Sequence, residues 1–159
     1  MEVREVRPEE YEEAGRVTRR AYEEFGNWGD YGERLADVAG RAGRTLVLVA
    51  VEDDRILGTT TLEVNHRIEG GRPRQPLRPE EAHIRMLGVA PDARSRGVGR
   101  ALVEACIREA RRHGKSVLTL HTAEEMTVAR AMYEAMGFTR MEDEVYPDGF
   151  VLLGYRLPL

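Results

Sequence analysis

Apolar residues along this chain fall into two rhythms, one of period two and one of helical spacing, separated by glycine, proline and acidic turns. Met1 to Arg7 alternates well enough for a first strand, and Pro8 suits a helix start. Tyr11, Ala14, Thr18, Ala21, Tyr22 and Phe25 then recur at helical spacing until Gly26. A polar–aromatic loop holding Trp28 and Tyr31 comes next, where Asp30 with Glu33 has the form of a capping box for a helix through Val38 and Ala39. The unbroken apolar run from Thr45 to Val51 predicts a buried strand. Glu52-Asp53-Asp54-Arg55 turns the chain, and Ile56 to His66 returns as a hairpin partner with Thr60, Leu62, Val64 and His66 on one face. Ile68 to Pro79 holds two glycines, three prolines and three arginines, which predicts a loop long enough to be functional.

A strand from Ile84 to Val89 follows and Pro91 stops it. The spacing predicts a helix over Val98 to His113 that buries Leu102, Val103, Cys106, Ile107 and Ala110, with Glu104 and Arg108 paired outside. Gly114-Lys115-Ser116 reads as a turn into a strand over Val117 to Leu120. Thr122 and Glu125 have capping-box spacing for a helix to Met136, closed by Gly137, with Ala129, Met132, Tyr133 and Met136 inward. Phe138 opens a sixth strand, and Phe150 to Leu157 makes a seventh after the Pro147-Asp148-Gly149 turn. The order β-α-α-β-β-β-α-β-α-β-β predicts an α/β chain with a mixed sheet. Its 45–66 hairpin is antiparallel, and a helical crossover makes the strands near 84 and 117 parallel.

With 159 residues, the chain is expected to form a single domain over 1–159 with a real core. A net charge of −4 implies no general affinity for nucleic acid. Leu46 to Val51 is far too short to span a bilayer, and the charged start MEVREVRPEE lacks a signal-peptide apolar segment. A cytoplasmic protein with no membrane partner is the expectation. The lone Cys106 excludes an internal disulfide and a cysteine-cluster metal site, and its place on the apolar stripe makes it a small core residue. His66, His113 and His121 have no acidic or histidine neighbours at metal-ligand spacing, so no metal is expected.

The most informative chemistry lies between the strand at 84 and the helix at 98. Gly97 and Gly99 let a ligand approach the backbone, and the first helical turn leaves amide N–H groups unpaired. Arg94, Arg96 and Arg100 add full positive charges, so this is a socket for phosphate. A dinucleotide fingerprint fails because Leu102 occupies its third glycine position, and a P-loop at Gly114-Lys115-Ser116 fails because Glu109 occupies its first. What remains, Arg94-Ser95-Arg96-Gly97-Val98-Gly99, resembles the pyrophosphate loop of the GCN5-related N-acetyltransferases (GNAT), which bind acetyl-CoA. A second element, Ala129 to Phe138, is similar to that family's A-x-x-x-Y-x-x-x-G-F segment, at the right distance from the first. The resemblance runs from about Thr45 to Phe138, and the element order matches the family fold.

The resemblance implies transfer of acetyl from acetyl-CoA to a primary amine, of a small molecule or less readily of a peptide. It places the pantetheine arm along Leu87, Gly88 and Val89, and the pyrophosphate on Arg94, Ser95, Arg96, Gly97, Val98, Gly99 and Arg100. Tyr133 becomes the candidate general acid. The family's glutamate before the I-x-x-L strand is replaced by His83, with Glu81 two residues earlier on the same strand face, so His83 and Glu81 are the candidate bases. An unperturbed imidazole, near about 6.5, suits removal of a proton from a weakly basic amine. The family's asparagine seven residues before the tyrosine is Met126. These departures leave open an alternative, an acyl-CoA-binding sensor or interaction module without catalysis. Trp28, Tyr31 and the Ile68 to Pro79 loop are candidates for acceptor selection. Exposed late strands in such folds offer a surface for pairing two copies as a homodimer.

Overall fold

The computed structural model describes residues 1–26, 28–65 and 76–159 of the chain. Among them, seven strands form one sheet: β1 Glu2–Glu5, β2 Leu46–Glu52, β3 Arg55–Glu63, β4 Glu81–Val89, β5 Val117–Ala123, β6 Thr139–Val145 and β7 Val151–Pro158. Their order is β1-β2-β3-β4-β5-β7-β6. β4 and β5 are parallel and every other recorded pair is antiparallel, as the single helical crossover requires. The helices are α1 Tyr11–Glu23, α2 Asp30–Ala36, α3 Val38–Ala42, α4 Val98–Arg112 and α5 Thr127–Ala135.

Alternation along β2 divides the core between two layers. Leu48 and Ala50 join Leu102, Val103 and Cys106 of α4, while Val47 and Val49 join Ala14 of α1 and Val38 of α3. β3 repeats the division with different chemistry. Its α4 face carries Leu62, and its other face buries Thr59, Thr61 and Glu63, all at most 3% exposed. Such a buried polar face needs partners. Thr18 of α1 meets Thr59 oxygen to oxygen at 2.5 Å, Arg41 of α3 donates from Nε to Thr61 at 3.1 Å, and Arg85 of β4 donates to Glu63 at 3.0 Å. The helices α1 and α3 thus sit on a polar stripe whose hydrogen bonds fix their register.

The structure corrects the reading of both predicted capping boxes. Gly29 is the N-cap of α2, and Asp30 is already its first residue. Asp37 interrupts the predicted second helix and caps α3 by accepting from the Gly40 N–H at 2.9 Å. Thr122 belongs to β5, which runs three residues past the expected end at Leu120, and Met126 is the N-cap of α5. Sheet pairing with β7 outcompeted the local side-chain cap. β4 also begins earlier than expected, at Glu81. Ile107, Ala129, Met132 and Met136 are only half-buried, Ala129 and Met132 because they line an open groove beside α5. Cys106 is buried as expected, and burial pushes its thiol up to about 12, which makes it inert. His66 and residues 68–75 of the predicted loop lie outside the described residues.

Candidate active site

The site begins where two parallel strands part. β4 and β5 pair from Glu81–Val117 to Ile84–Leu120. Beyond that point β5 continues to Ala123 against β7 instead. On β4, Arg85 pairs with Thr61 and Gly88 with Thr59, so Met86 and Leu87 together oppose Thr60. That extra residue is a β-bulge, with Met86 at φ 54°. It bends β4 away from β5 and turns the backbone from Leu87 to Val89 toward a groove of about 550 Å³. Gly88 is glycine for packing reasons: a Cβ there would lie 2.8 Å from the Ala21 Cβ of α1.

At the outer end of the groove the backbone forms a nest. Ser95 has φ 62° and Gly97, the N-cap of α4, has φ 79°. These two left-handed residues flank Arg96 next to the positive end of a 15-residue helix, whose first-turn N–H groups have no intrahelical partner. A Cβ at Gly97 would meet nothing within 4 Å, so its glycine serves the backbone angle and the open approach. Arg94, Ser95, Gly97, Val98, Gly99 and Arg100 all border the groove. The three arginines differ. Arg94 pairs with Glu24 and donates to the Ala21 carbonyl at 3.3 Å, clamping the loop to α1. Arg100 binds Glu104 one turn along α4 at 3.0 Å. Arg96 is turned to Glu52 on β2 and is not part of the groove wall.

At the inner end lies a second, smaller cavity of about 130 Å³, sharing Tyr22, Leu87, Met126 and Ala129 with the groove. His83 and Tyr133 border it. His83 is 2% exposed, and its Nδ1 lies 2.7 Å from the Thr119 hydroxyl. Thr119 donates to Glu81 Oε2 at 2.5 Å. The two candidate bases therefore share one bridging hydroxyl. The Tyr133 ring packs against Phe138 at 5.6 Å and Tyr155 at 6.1 Å, and its hydroxyl makes no hydrogen bond among the described residues. Burial pushes its phenol well up, with Cys106 adding slightly. Tyr22, one of the residues at helical spacing along α1, stands at the junction of both cavities; burial, with Tyr31 and Tyr133 nearby, pushes its phenol up as well.

Aromatic walls enclose the inner cavity. Trp28 donates from its indole to the Tyr22 carbonyl at 2.7 Å and meets the Tyr22 and Tyr31 rings at 5.9 and 5.8 Å. Tyr146 and Phe150, 5.8 Å apart, face them from the β6–β7 turn. Arg41, 6% exposed, holds α2 in place by donating to the carbonyls of Arg34, Leu35 and Asp37. Burial, with Arg85 nearby, lowers its guanidinium to about 10, so it remains charged at neutral pH. Thr119, Tyr22, Tyr146 and Phe150 escaped the sequence reading. The alternation of Leu118 and Leu120 with Thr119 and His121 was the one available signal that a polar sheet face met a cavity.

Among the described residues, no group of three or more His, Cys, Asp or Glu is placed to hold a metal ion. No helix among them is long and apolar enough to cross a membrane.

Over residues 3–138 the sequence matches the Acetyltransferase (GNAT) family. The chain belongs to the GNAT family. A mycothiol acetyltransferase of Geodermatophilus obscurus is 31% identical over 121 residues, which are 76% of this chain and 37% of that protein. The chain spans little more than a third of that relative's length, and less of others with the same name. Among solved structures, yncA of Salmonella typhimurium, determined with its cofactor acetyl-CoA, superposes with a TM-score of 0.74 at 21% identity, covering 100% of this chain and 94% of that one. The ribosomal-protein-S18-alanine N-acetyltransferase of Escherichia coli gives 0.73 at 20% identity, covering 99% and 92%. At those identities the likeness is one of fold.

Proposed function

We propose that this chain transfers the acetyl group of acetyl-CoA directly to a primary amine, with a small molecule as the acceptor. The parting of β4 from β5 beyond Ile84 and Leu120 carries this reading, because it joins an anion nest to a cavity lined by a histidine and a phenol. The residues present fit the co-substrate. The nest and α4 N-terminus would hold the diphosphate, with Arg94 and Arg100 beside it, and the bulged edge from Leu87 to Val89 would pair with the amide-bearing arm as an added strand. When bound, acetyl-CoA supplies an acetyl thioester, and of the two protons the ammonium loses, one ends on the thiol and one in solvent.

His83 accepts the first proton and exposes the amine lone pair. A backbone N–H of the bulged β4 edge holds the developing oxyanion, a contact typically worth about 3–4 kcal/mol. Tyr133 hydrogen-bonds the leaving sulfur. Its burial keeps the phenol protonated but makes full proton donation more costly than the ~2 kcal/mol implied by unperturbed groups. A hydrogen bond that strengthens as charge develops avoids that cost. The enclosing aromatic walls and the name of the mycothiol acetyltransferase relatives support a small acceptor; the ribosomal-protein neighbour stands for the peptide option. A thiol-release assay over a panel of small amines and peptide N-termini tests this. Turnover on small amines is expected. Tight CoA binding with no turnover on any amine would replace the enzyme with an acyl-CoA sensor.

A further inference from the structure

We propose that Thr119 is a positioning residue that joins Glu81 to His83 and thereby makes Nε2 the basic nitrogen of His83; this rests on His83 being the base. The inference follows from counting donors. Thr119 has one hydroxyl proton, and its oxygen lies 2.5 Å from Glu81 Oε2 and 2.7 Å from His83 Nδ1. An ionised carboxylate only accepts, so the proton goes to Glu81. The His83–Thr119 contact is then a hydrogen bond only if Nδ1 carries a proton and donates it. The lone pair of the neutral ring is left on Nε2, and His83 borders the inner cavity.

The strands make the arrangement rigid. Glu81 and His83 lie two residues apart on one face of β4, and Thr119 is the parallel partner of His83 on β5. All three precede the point where the strands part, so the relay sits on paired backbone while the His83 ring borders the cavity beyond it. When the acceptor ammonium gives its proton to Nε2, the ring becomes a cation with Nδ1–H still held by Thr119. Glu81 then compensates that charge through the hydroxyl, and Nε2 later releases the proton to solvent.

Other charged groups surround the ring. On β4, Arg85 is bound to Glu63 of β3, and Glu63 is itself the cross-strand partner of His83. On β5, His121 lies 5.5 Å away between ring centroids, with Glu144 of β6 beside it at 4.0 Å. Arg34 of α2 borders the same cavity, and Arg156 of β7 stands opposite Thr119. The phenols facing the cavity are Tyr22, Tyr31, Tyr133 and Tyr146.

The test combines nitrogen-detected NMR of the histidine rings with pH–rate profiles, on the wild type and on Thr119→Val, Thr119→Ser and Glu81→Gln. Wild-type His83 is expected as the Nδ1–H tautomer. Thr119→Val, nearly isosteric, should lose that tautomer and lower kcat by about 10–100-fold, with KM for acetyl-CoA little changed. Thr119→Ser should restore both. Glu81→Gln keeps an acceptor oxygen but loses the charge, so the tautomer should persist while the acid limb of kcat/KM moves to lower pH. The NMR arm uses the free protein and remains readable even if no amine is acetylated. An Nε2–H tautomer in the wild type would overturn the proposal, as would an unchanged tautomer in Thr119→Val. If Thr119→Val fails to fold, the wild-type tautomer and a shift of the acid limb in Glu81→Gln that is absent from Thr119→Ser still decide.

Discussion

Tyr133 shows how one side chain serves two levels of the molecule. Its ring fills the space between Phe138 and Tyr155, while its hydroxyl has no partner among the described residues. Removing that oxygen leaves the packing intact and deletes only the proposed contact to the leaving sulfur. Tyr133→Phe should therefore unfold within about 0.5 kcal/mol of the wild type, yet turn over at least about tenfold more slowly with similar CoA affinity. Chemical denaturation and steady-state kinetics on one preparation check both. Equal turnover would return the phenol to a packing role. Gly97 marks the other end of the site: its positive φ and open surroundings make it a backbone residue of the nest. Gly97→Glu should weaken CoA by more than tenfold, since it sets a carboxylate among the amides proposed to hold the diphosphate.

At the scale of elements, two contacts beyond the Thr18–Thr59 hydrogen bond help to set where α1 stands. Gly88 of β4 lets Ala21 approach, and Gly88→Ala would create a 2.8 Å contact that only movement of α1 can relieve. A cost of about 1–3 kcal/mol in urea unfolding is expected, together with weaker CoA binding, because α1 forms a wall of the groove. The second contact ties β1 to the start of α1. Arg4 donates to Glu10 at 2.9 and 2.6 Å, and Arg7 N–H adds a third bond at 2.9 Å. Chiefly through Arg4, and against the opposing effect of burial, the Glu10 carboxyl is held down at about 2 from its ordinary 4.5. A depressed carboxyl stabilises the fold above its unfolded value and loses that contribution as pH falls through the folded one. Glu10→Gln should cost about 1–2 kcal/mol at neutral pH after solvent screening. The gap from the wild type should close as pH falls from 4.5 toward about 2. A gap that ignores pH would contradict the assignment. Most of these elements were legible in the chain, because Leu46–Glu52 is buried on both faces as an unbroken apolar run and the helix Val98–Arg112 buries one apolar stripe. Their ends were not. Thr122 had the spacing of a cap but found a sheet partner in Leu153, a long-range choice invisible to local chemistry.

At the scale of the whole molecule, the proposed function depends on the parting of β4 from β5 beyond Ile84 and Leu120. The loop from Arg94 to Arg100 stood out because glycines and arginines cluster in sequence, and Tyr133 because it sits in a recognisable segment; the structure sets both beside the cavities. The Glu81–Thr119–His83 bridge was not, since its third member arrives from another strand 36 residues after His83. Nor was the withdrawal of Arg96 to Glu52, which the charge pattern alone would have placed in the groove. Because β4 and β5 part without a protein strand between them, a bound co-substrate would supply the missing pairing and stabilise the fold by mass action. CoA at 100 times its Kd should add about 2.7 kcal/mol and raise Tm by about 5–10 °C. Calorimetric titration of CoA into the wild type and into Gly97→Glu tests the central claim most directly. One site with clear heat in the wild type, and a loss of more than tenfold in the variant, is the predicted result. No heat in the wild type, or equal affinity in both proteins, would show that the parted strands and the α4 nest do not form the coenzyme site.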